Sequence, residues 1–436
     1  MSDRPDRPAP DASEPARPPA VGDRLELALG AAAAGGGCVS RAPDGRVVFV
    51  RHALPGERVV AEVTGEARTY LRADAVEVVE PSPDRVEPRC PLSGPGGCGG
   101  CDYQHVALDA QRRIKGGLVA EQLARLAGLE RVVEVEAVPG DRDGLAWRTR
   151  VAFAVDDDGV VGLRPHRSHT VVPVERCPIA VDAVNDAGVT RARWPGARQV
   201  EVVAPGDGGT VVAVVDTGGE RPGGLPDLPV GVVWRGRTLR PPGEVAYEVD
   251  GHRFTVRAGV FWQVHPGAGH VLTEAVLDGL APRPGERAAD LYAGAGLFSV
   301  ALAGAVGSTG SVVAVERSAA AVGALRADTA AGPIEVVQAA VTPDLVARRL
   351  GHPDLVVLDP ARSGAGTAVM AALAGLDPPP RAVAYVSCEP APFARDLRIL
   401  LDAGWTLTSL RAFDLFPMTE HVEVVGVLVP PGAPTP

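Results

Sequence analysis

The chain has almost no lysine. Of its 43 Lys and Arg residues, Lys115 is the one lysine and every other is arginine. With abundant Ala, Gly, Val and Pro, that bias reflects a GC-rich genome rather than selection for phosphate binding. Long apolar runs are missing too. The richest run of small residues, Leu29 to Val39, is mostly Ala and Gly and too short to cross a bilayer. No membrane association is therefore expected. The start, Met1-Ser2-Asp3-Arg4-Pro5, lacks the basic and then apolar layout of a secretory signal, and a cytoplasmic protein is expected. Positive charge is not in excess, since the formal net charge is −11. At first sight this argues against a nucleic-acid partner, but net charge is a weak guide when basic residues cluster on one face. Cysteine is scarce, six in 436 residues, and a cytosolic chain of this size is not expected to spend them on disulfides. What is present is length and apolar content, 46% hydrophobic, enough for several domains with buried cores. A monomer is the default.

Residues 1–20 are Pro, Asp, Arg and Ala without apolar periodicity and read as a disordered tail. Over 21–80 the pattern turns to short alternating strands, such as Val59-Val60-Ala61-Glu62-Val63, separated by Pro43-Asp44-Gly45 and Leu54-Pro55-Gly56-Glu57. Sixty such residues suit an OB-type β-barrel. A mixed α+β central domain is expected over 81–257, with a cysteine-rich loop, a helix from Leu108 to Ala127, and a Gly/Pro-rich stretch, Gly218 to Pro242, around one strand. A third domain is expected over 258–436, in which strands and helices alternate from Glu286 onward. Ala288–Tyr292, Val312–Val315, Leu355–Leu358 and Ala382–Val386 read as buried parallel strands of a doubly wound, Rossmann-like α/β domain.

Ligands in such a sheet bind at the carboxyl ends of its strands. There stand Asp290-Leu291-Tyr292-Ala293-Gly294-Ala295-Gly296, whose glycines admit a close backbone approach, and Glu316, a carboxylate placed to take both hydroxyls of a ribose. A dinucleotide remains an alternative, but Ser299 stands where its fingerprint has a third glycine. Adenosylmethionine carries no pyrophosphate and needs no such cradle. Asp359-Pro360-Ala361-Arg362 ends another strand and departs from the Asp/Asn-Pro-Pro-aromatic pattern of amino methylation. Cys388, in Tyr385-Val386-Ser387-Cys388-Glu389-Pro390, could be a small buried hydrophobe, yet its strand terminus is where catalytic groups collect.

These motifs resemble those of the RNA uracil-C5 methyltransferases. Phe261-Trp262-Gln263-Val264-His265 is similar to that family's F-x-Q-V-N, Asp290–Gly296 to its D-L-Y-C-G-x-G, and Asp359–Arg362 to its D-P-P-R. Tyr385–Pro390 is similar to Y-V-S-C-N-P, and Asp414–Glu423 to D-x-F-P-x-T-x-H-V-E. The resemblance implies a class I methyltransferase domain in which Gln263, Tyr292, Glu316 and Asp359 contact S-adenosyl-L-methionine, Cys388 is the nucleophile and Glu423 the base. Glu420 is a rival base three residues earlier. His265, Ala293, Ala361 and Glu389 depart from the motifs. The implied chemistry is thiolate addition at uracil C6, methyl transfer to C5, and removal of the C5 proton. The target uridine must be flipped or single-stranded.

Cys90, Cys98, Cys101 and Cys177, spaced C-x7-C-x2-C with one distant member, suit either zinc or an iron–sulfur cluster. The resemblance implies [4Fe–4S], with zinc as the alternative. The barrel resembles a TRAM domain, implying RNA contacts from Arg41, Arg46, Arg51, Arg68 and Arg72 with Tyr70 for stacking. Trp147–Arg150 and Gly162–His169 form a second basic set near Cys177. The expected activity is conversion of a specific uridine in RNA to 5-methyluridine, in ribosomal rather than transfer RNA. The competing reading is an RNA-binding or maturation factor that keeps the fold without turnover.

Overall fold

The computed structural model describes residues 17–328 and 332–433, so most of the expected tail lies outside the described residues. The chain divides into two compact units, one through Arg85 and one from Val86 onward.

The first unit is a six-stranded sheet in the order Arg24–Ala28, Arg58–Glu66, Tyr70–Glu80, Val47–Arg51, Gly37–Arg41, Ala32–Ala33. Alternation along Arg58–Glu66 puts Val59, Ala61 and Val63 inside while Arg58 and Thr64 face out, the period of two that a half-buried strand requires. Register shifts at three points between the two long strands curl them over that core. The sheet closes through Leu29 and Gly30, whose N–H groups donate to the carbonyls of Glu57 and Val39 on its two sides. Cys38 lies in a strand, with its thiol toward the Ala53 carbonyl, and not in the turn that its glycine neighbours suggest.

Glu57 is 1% exposed in this unit, and its carboxylate accepts from the Leu54 and Ser82 N–H groups and from both arms of Arg85.

The second unit holds a seven-stranded sheet, the hairpin Glu244–Val249/His252–Arg257, and an eight-stranded sheet. The seven-stranded sheet runs Val172–Pro173, Val161–Leu163, Arg150–Val155, Gln199–Val203, Val212–Asp216, Gly231–Trp234, Arg237–Arg240. The stretch expected to carry one strand thus carries two, Gly231–Trp234 and Arg237–Arg240, joined through the left-handed Arg235 and Gly236. The eight-stranded sheet runs Ile334–Gln338, Ser311–Glu316, Arg287–Leu291, Leu355–Leu358, Ala382–Ser387, Glu423–Val429, Thr406–Asp414, Val135–Ala137. Its first five strands are parallel, and the central three, Arg287–Leu291, Leu355–Leu358 and Ala382–Ser387, are buried on both faces, which is why they read as continuous apolar runs. The chain starts in the middle at Arg287–Leu291, winds outward, then returns beside it at Leu355–Leu358. That reversal opens a cleft at the strands' carboxyl ends.

The expected helix from Leu108 is α-helical over Leu108–Gln122 and ends in one π turn, Leu123–Ala127, stopped by the left-handed Gly128. Its apolar face joins the catalytic core through Val119, Leu123 and Ala127, and Val135–Ala137 adds the edge strand of that same sheet. Residues counted with the central domain therefore complete the α/β sheet.

The Glu57 site sets a pH-dependent stability. Burial alone would raise its pKa, but the Arg85 guanidinium and the two N–H donors outweigh it and hold the carboxyl below 4.5. A depressed carboxylate stabilises the fold above its unfolded pKa and ceases to as pH falls through the folded one. The first unit should therefore weaken as pH drops below 4.5. Glu57→Gln should cost about 3 kcal/mol at neutral pH by urea unfolding and flatten that pH dependence.

Candidate active site

The cleft is a cavity of about 1030 Å³ whose lining includes Gln263, Tyr292, Glu316, Asp359, Cys388 and Glu423. Its size is that of a site for a cofactor together with part of a second substrate. Each side chain arrives by a separate local device.

After the strand Arg287–Leu291 the chain turns sharply, with Tyr292, Gly294 and Gly296 all at positive φ. A Cβ on Gly296 would stand 2.2 Å from Leu325 Cδ1, so only glycine fits there. The N–H groups of Tyr292 and Ala293 both donate to the Val315 carbonyl. Glu316 Oε2 accepts from the Gly294 N–H at 3.0 Å and Oε1 from the Ser318 N–H at 2.6 Å. The carboxylate is thereby held between the turn and its own strand end, beside the cavity.

Ser299, which breaks the dinucleotide fingerprint, has its own task. Its hydroxyl donates at 2.5 Å to Asp290, which burial pushes up to about 7. Asp359 ends the next strand, its pKa raised by burial and by the charge of Asp290. Gln263 sits between two anchors. Trp262 stacks on Tyr247 at 4.7 Å, and the Val264 carbonyl accepts both the N–H and the hydroxyl of Thr149. His265, a departure from the motif, is buried against Trp147 and pushed down to about 4, hence neutral; its Nδ1 accepts the Gly267 N–H.

Cys388 and Glu423 meet through strand register. Ala382–Ser387 and Glu423–Val429 are antiparallel with Ser387 opposite Val424, so the residue after one strand faces the first residue of the other. Burial, then the charges of Glu423 and Glu389, push the Cys388 thiol up to about 12, with Arg362 acting against them. Glu423 is raised well above an ordinary glutamate by burial and by Asp359 and Glu389. Glu389 stands between Arg362 at 3.9 Å and His421 at 3.7 Å, both distances to Oε1. Glu420 is not part of the cavity lining; its N–H donates to Asp102.

The loop carrying Arg362 is latched by a group that the sequence did not suggest. Asp396, fully buried on the helix Pro390–Asp402, accepts from the Tyr385 hydroxyl at 2.7 Å and the Gly366 N–H at 3.0 Å. Tyr385 in turn accepts the Ala365 N–H. A single aspartate on an amphipathic helix reads as surface, and no spacing signal betrays it.

All of the cysteines are free. Cys98, Cys101 and Cys177 each sense the charge of Cys90, and burial, then the charges of Cys177 and Cys90, pushes Cys98 up to about 11. Among the described residues, however, no group of three or more His, Cys, Asp or Glu side chains is arranged to hold a metal ion. The expected ligands are gathered without forming a closed set.

Of the expected RNA contacts in the first unit, Arg41 and Arg68 are exposed, and Arg72 lies over Tyr70. Arg46 is taken up by Asp44 and Glu66. In the second unit Arg148 lines the cavity, whereas Arg150 is buried, bonded to Glu201 and the Val260 carbonyl. Arg150 is thus a structural residue and not a surface contact. Arg164, His166 and Arg167 are exposed beside the cysteine loop, where Gly99 N–H donates to the Arg164 carbonyl.

The TRAM domain family matches residues 21–76. Over 433 residues the chain is 46% identical to an uncharacterized RNA methyltransferase of Streptomyces coelicolor, spanning 94% of this chain and 93% of that one. It is 33% identical to the 23S rRNA (uracil(1939)-C(5))-methyltransferase of Halomonas elongata, spanning 94% and 90%. Among solved structures, the Pyrococcus abyssi tRNA (uracil-54, C5)-methyltransferase in complex with S-adenosyl-L-homocysteine shares the fold, with TM-score 0.69, 21% identity and coverage of 93% and 99%.

Because Glu389 is one of the charges that raise the Cys388 pKa, Glu389→Asn should lower it. Iodoacetamide labelling of Cys388 at mildly alkaline pH, with Cys388→Ala as the blank, should run severalfold faster in that variant.

Proposed function

We propose that this chain, which belongs to the RNA uracil-C5 methyltransferase family, converts one uridine of ribosomal RNA to 5-methyluridine with S-adenosyl-L-methionine as methyl donor. The observation that carries the reading is the facing of Cys388 and Glu423 in a cavity that also holds Glu316 and Asp359. Ribosomal RNA is favoured because relatives of this length and identity carry that substrate in their names, while the transfer-RNA enzyme shares only the fold.

The cavity fits the donor. Glu316, held by two backbone N–H groups, presents a fixed carboxylate for ribose hydroxyls, and Gly294 leaves the backbone of the turn bare of a side chain at the cavity. Gln263, Tyr292, Glu316 and Asp359 would hold it. When bound, it supplies an electrophilic methyl group on a sulfonium.

Cys388 then does the first chemical work. Its thiolate adds to C6 of the flipped uracil, and the C5=C6 electron pair moves to make C5 enolate-like and able to take the methyl group. Glu423 removes the remaining C5 proton. The C5–H electrons restore the C5=C6 bond, and the C6–S bond breaks with its pair returning to sulfur. A base whose pKa is raised by burial is suited to accept this proton near neutral pH. Cys388 rests as a thiol, so turnover should rise with pH on the alkaline side.

The deciding measurement is 5-methyluridine by nucleoside mass spectrometry in separated ribosomal and transfer RNA from cells with and without the gene. Loss from ribosomal RNA is expected; loss from transfer RNA would reassign the substrate. In vitro, Cys388→Ala should abolish turnover. Glu423→Gln should leave methylated RNA bound covalently after denaturation. A binding-only factor would have no turnover to lose.

Cys90, Cys98, Cys101 and Cys177 would hold a [4Fe–4S] cluster, with zinc as the alternative. The donor chemistry fits, as these four thiols are free and close enough to act on one another's charge. The cluster would supply a cross-link between the loop over 90–101 and Cys177. Anaerobic reconstitution with iron and sulfide should give a broad visible absorption that Cys101→Ser removes. Zinc alone at full occupancy in protein purified anaerobically would favour the alternative.

A further inference from the structure

The one lysine of the chain is also among its most enclosed residues. Lys115 is 0% exposed, on the helix Leu108–Gln122, and Nζ donates to Asp414 Oδ1 at 2.6 Å and to the Phe416 carbonyl at 3.0 Å. Asp414 is itself 2% exposed. It ends the strand Thr406–Asp414, and the segment that follows leads directly into Glu423. Phe416, Thr419 and His421 of that segment line the cavity.

The segment needs a support. Met418 sits at φ +67°, a conformation that costs a non-glycine residue free energy unless its surroundings impose it. Three restraints do so. Gln111, one turn before Lys115, accepts the Met418 N–H at 2.8 Å. The N–H groups of Asp102 and Tyr103 both donate to the Met418 carbonyl at 2.9 Å. Lys115 fixes the start of the turn, where the Phe416 carbonyl also accepts the N–H and hydroxyl of Thr419.

A buried ion pair is poor value as a source of stability, because desolvating both charges consumes most of their attraction, and apolar residues of like volume often serve as well. What a compact ammonium does supply is direction. It brings a carboxylate and a carbonyl to one point from a flexible stem, while the Arg112 guanidinium approaches the other oxygen of Asp414 only to 3.7 Å.

We propose that Lys115 is a positioning residue for proton removal: its ammonium fixes Asp414 and the Phe416 carbonyl, and so sets where the following turn delivers Glu423. The inference rests on the reading of Glu423 as the base. Lys115 touches no substrate; it acts through the turn. Loss of its hold should leave thiolate addition and methyl transfer to Cys388 and the cavity. It should slow the last step, in which the C5 proton passes to Glu423 and the C6–S bond breaks.

The test compares the full-length chain with Lys115→Met/Asp414→Leu, which replaces both charges at similar volume, and with Asp414→Asn, which keeps the side-chain shape. Each is incubated with methyl-labelled S-adenosyl-L-methionine and an unmodified ribosomal-RNA transcript. Label in free RNA and label in RNA still attached to protein after denaturation are followed over time. In the double variant, release of 5-methyluridine should slow by about tenfold to a hundredfold, the scale of a misplaced catalytic group. Attached methylated RNA should accumulate as it does in Glu423→Gln, while the KM for RNA stays within twofold of wild type. Asp414→Asn should show the same accumulation to a smaller degree, and it decides the matter if the double variant does not fold. Release at the wild-type rate in a folded variant, or equal loss of adduct and product, would overturn the inference. No 5-methyluridine from the wild-type chain would overturn the proposed function along with it.

Discussion

The proposed catalytic centre depends on one pairing, the antiparallel register of Ala382–Ser387 against Glu423–Val429. The five parallel strands before it form a surface that can bind a cofactor, but parallel neighbours present their carboxyl ends side by side, each followed by a crossover. An antiparallel neighbour brings the start of a strand to that same edge. Glu423 can therefore be the first residue of its strand and still face Cys388, the residue just past the end of another. A register slip of one residue would turn Glu423 to the opposite face of the sheet. The register is defended by Val424, Val425, Val427 and Leu428, all buried between the two cores.

That geometry concentrates carboxylates. Asp290, Asp359, Glu389 and Glu423 all have raised pKa values, and burial is the first cause in each. Burial, and for Asp359 and Glu423 the charge of neighbouring carboxylates as well, favours the protonated forms. The compensating groups are few. Ser299 donates to Asp290, and Arg362 offsets the charges acting on Glu389, Cys388 and Glu423. The latch from Tyr385 and Asp396 matters for this reason, since it holds the loop on which that guanidinium stands.

What the sequence disclosed was local. Apolar runs marked the parallel strands, and glycines beside Asp290 marked the turn at the sheet edge. The cysteine and glutamate drew notice through the motifs around them. Those signals are short in range because each reports on one element and its ends. Long-range partnerships left no such trace. Nothing in Val135–Ala137 says that it pairs with Ala412–Asp414, nearly three hundred residues on. Arg150 reads as a surface charge until Glu201 and the Val260 carbonyl are seen to enclose it. Asp396 is hidden in the same way, because its partners come from a different strand and a different loop.

The helix Leu108–Gln122 shows how these distant partnerships serve the site. Its apolar face joins the sheet's core through Val119 and Leu123, which fixes its axis against the helix Pro390–Asp402 that follows Cys388. Its polar residues Gln111 and Lys115 then reach the turn that precedes Glu423. Cys388 and Glu423 are thus braced by neighbours packed on one another, so displacing either against the other requires deforming a close-packed core. The loop after Cys101 bears on the same Met418 carbonyl from a third direction. Any event that reshapes that cysteine loop must either break two backbone hydrogen bonds to Met418 or move the turn with it. The cysteine-bearing segment and the turn before Glu423 are in this way joined, although residues 101 and 423 lie at opposite ends of the second unit's sequence.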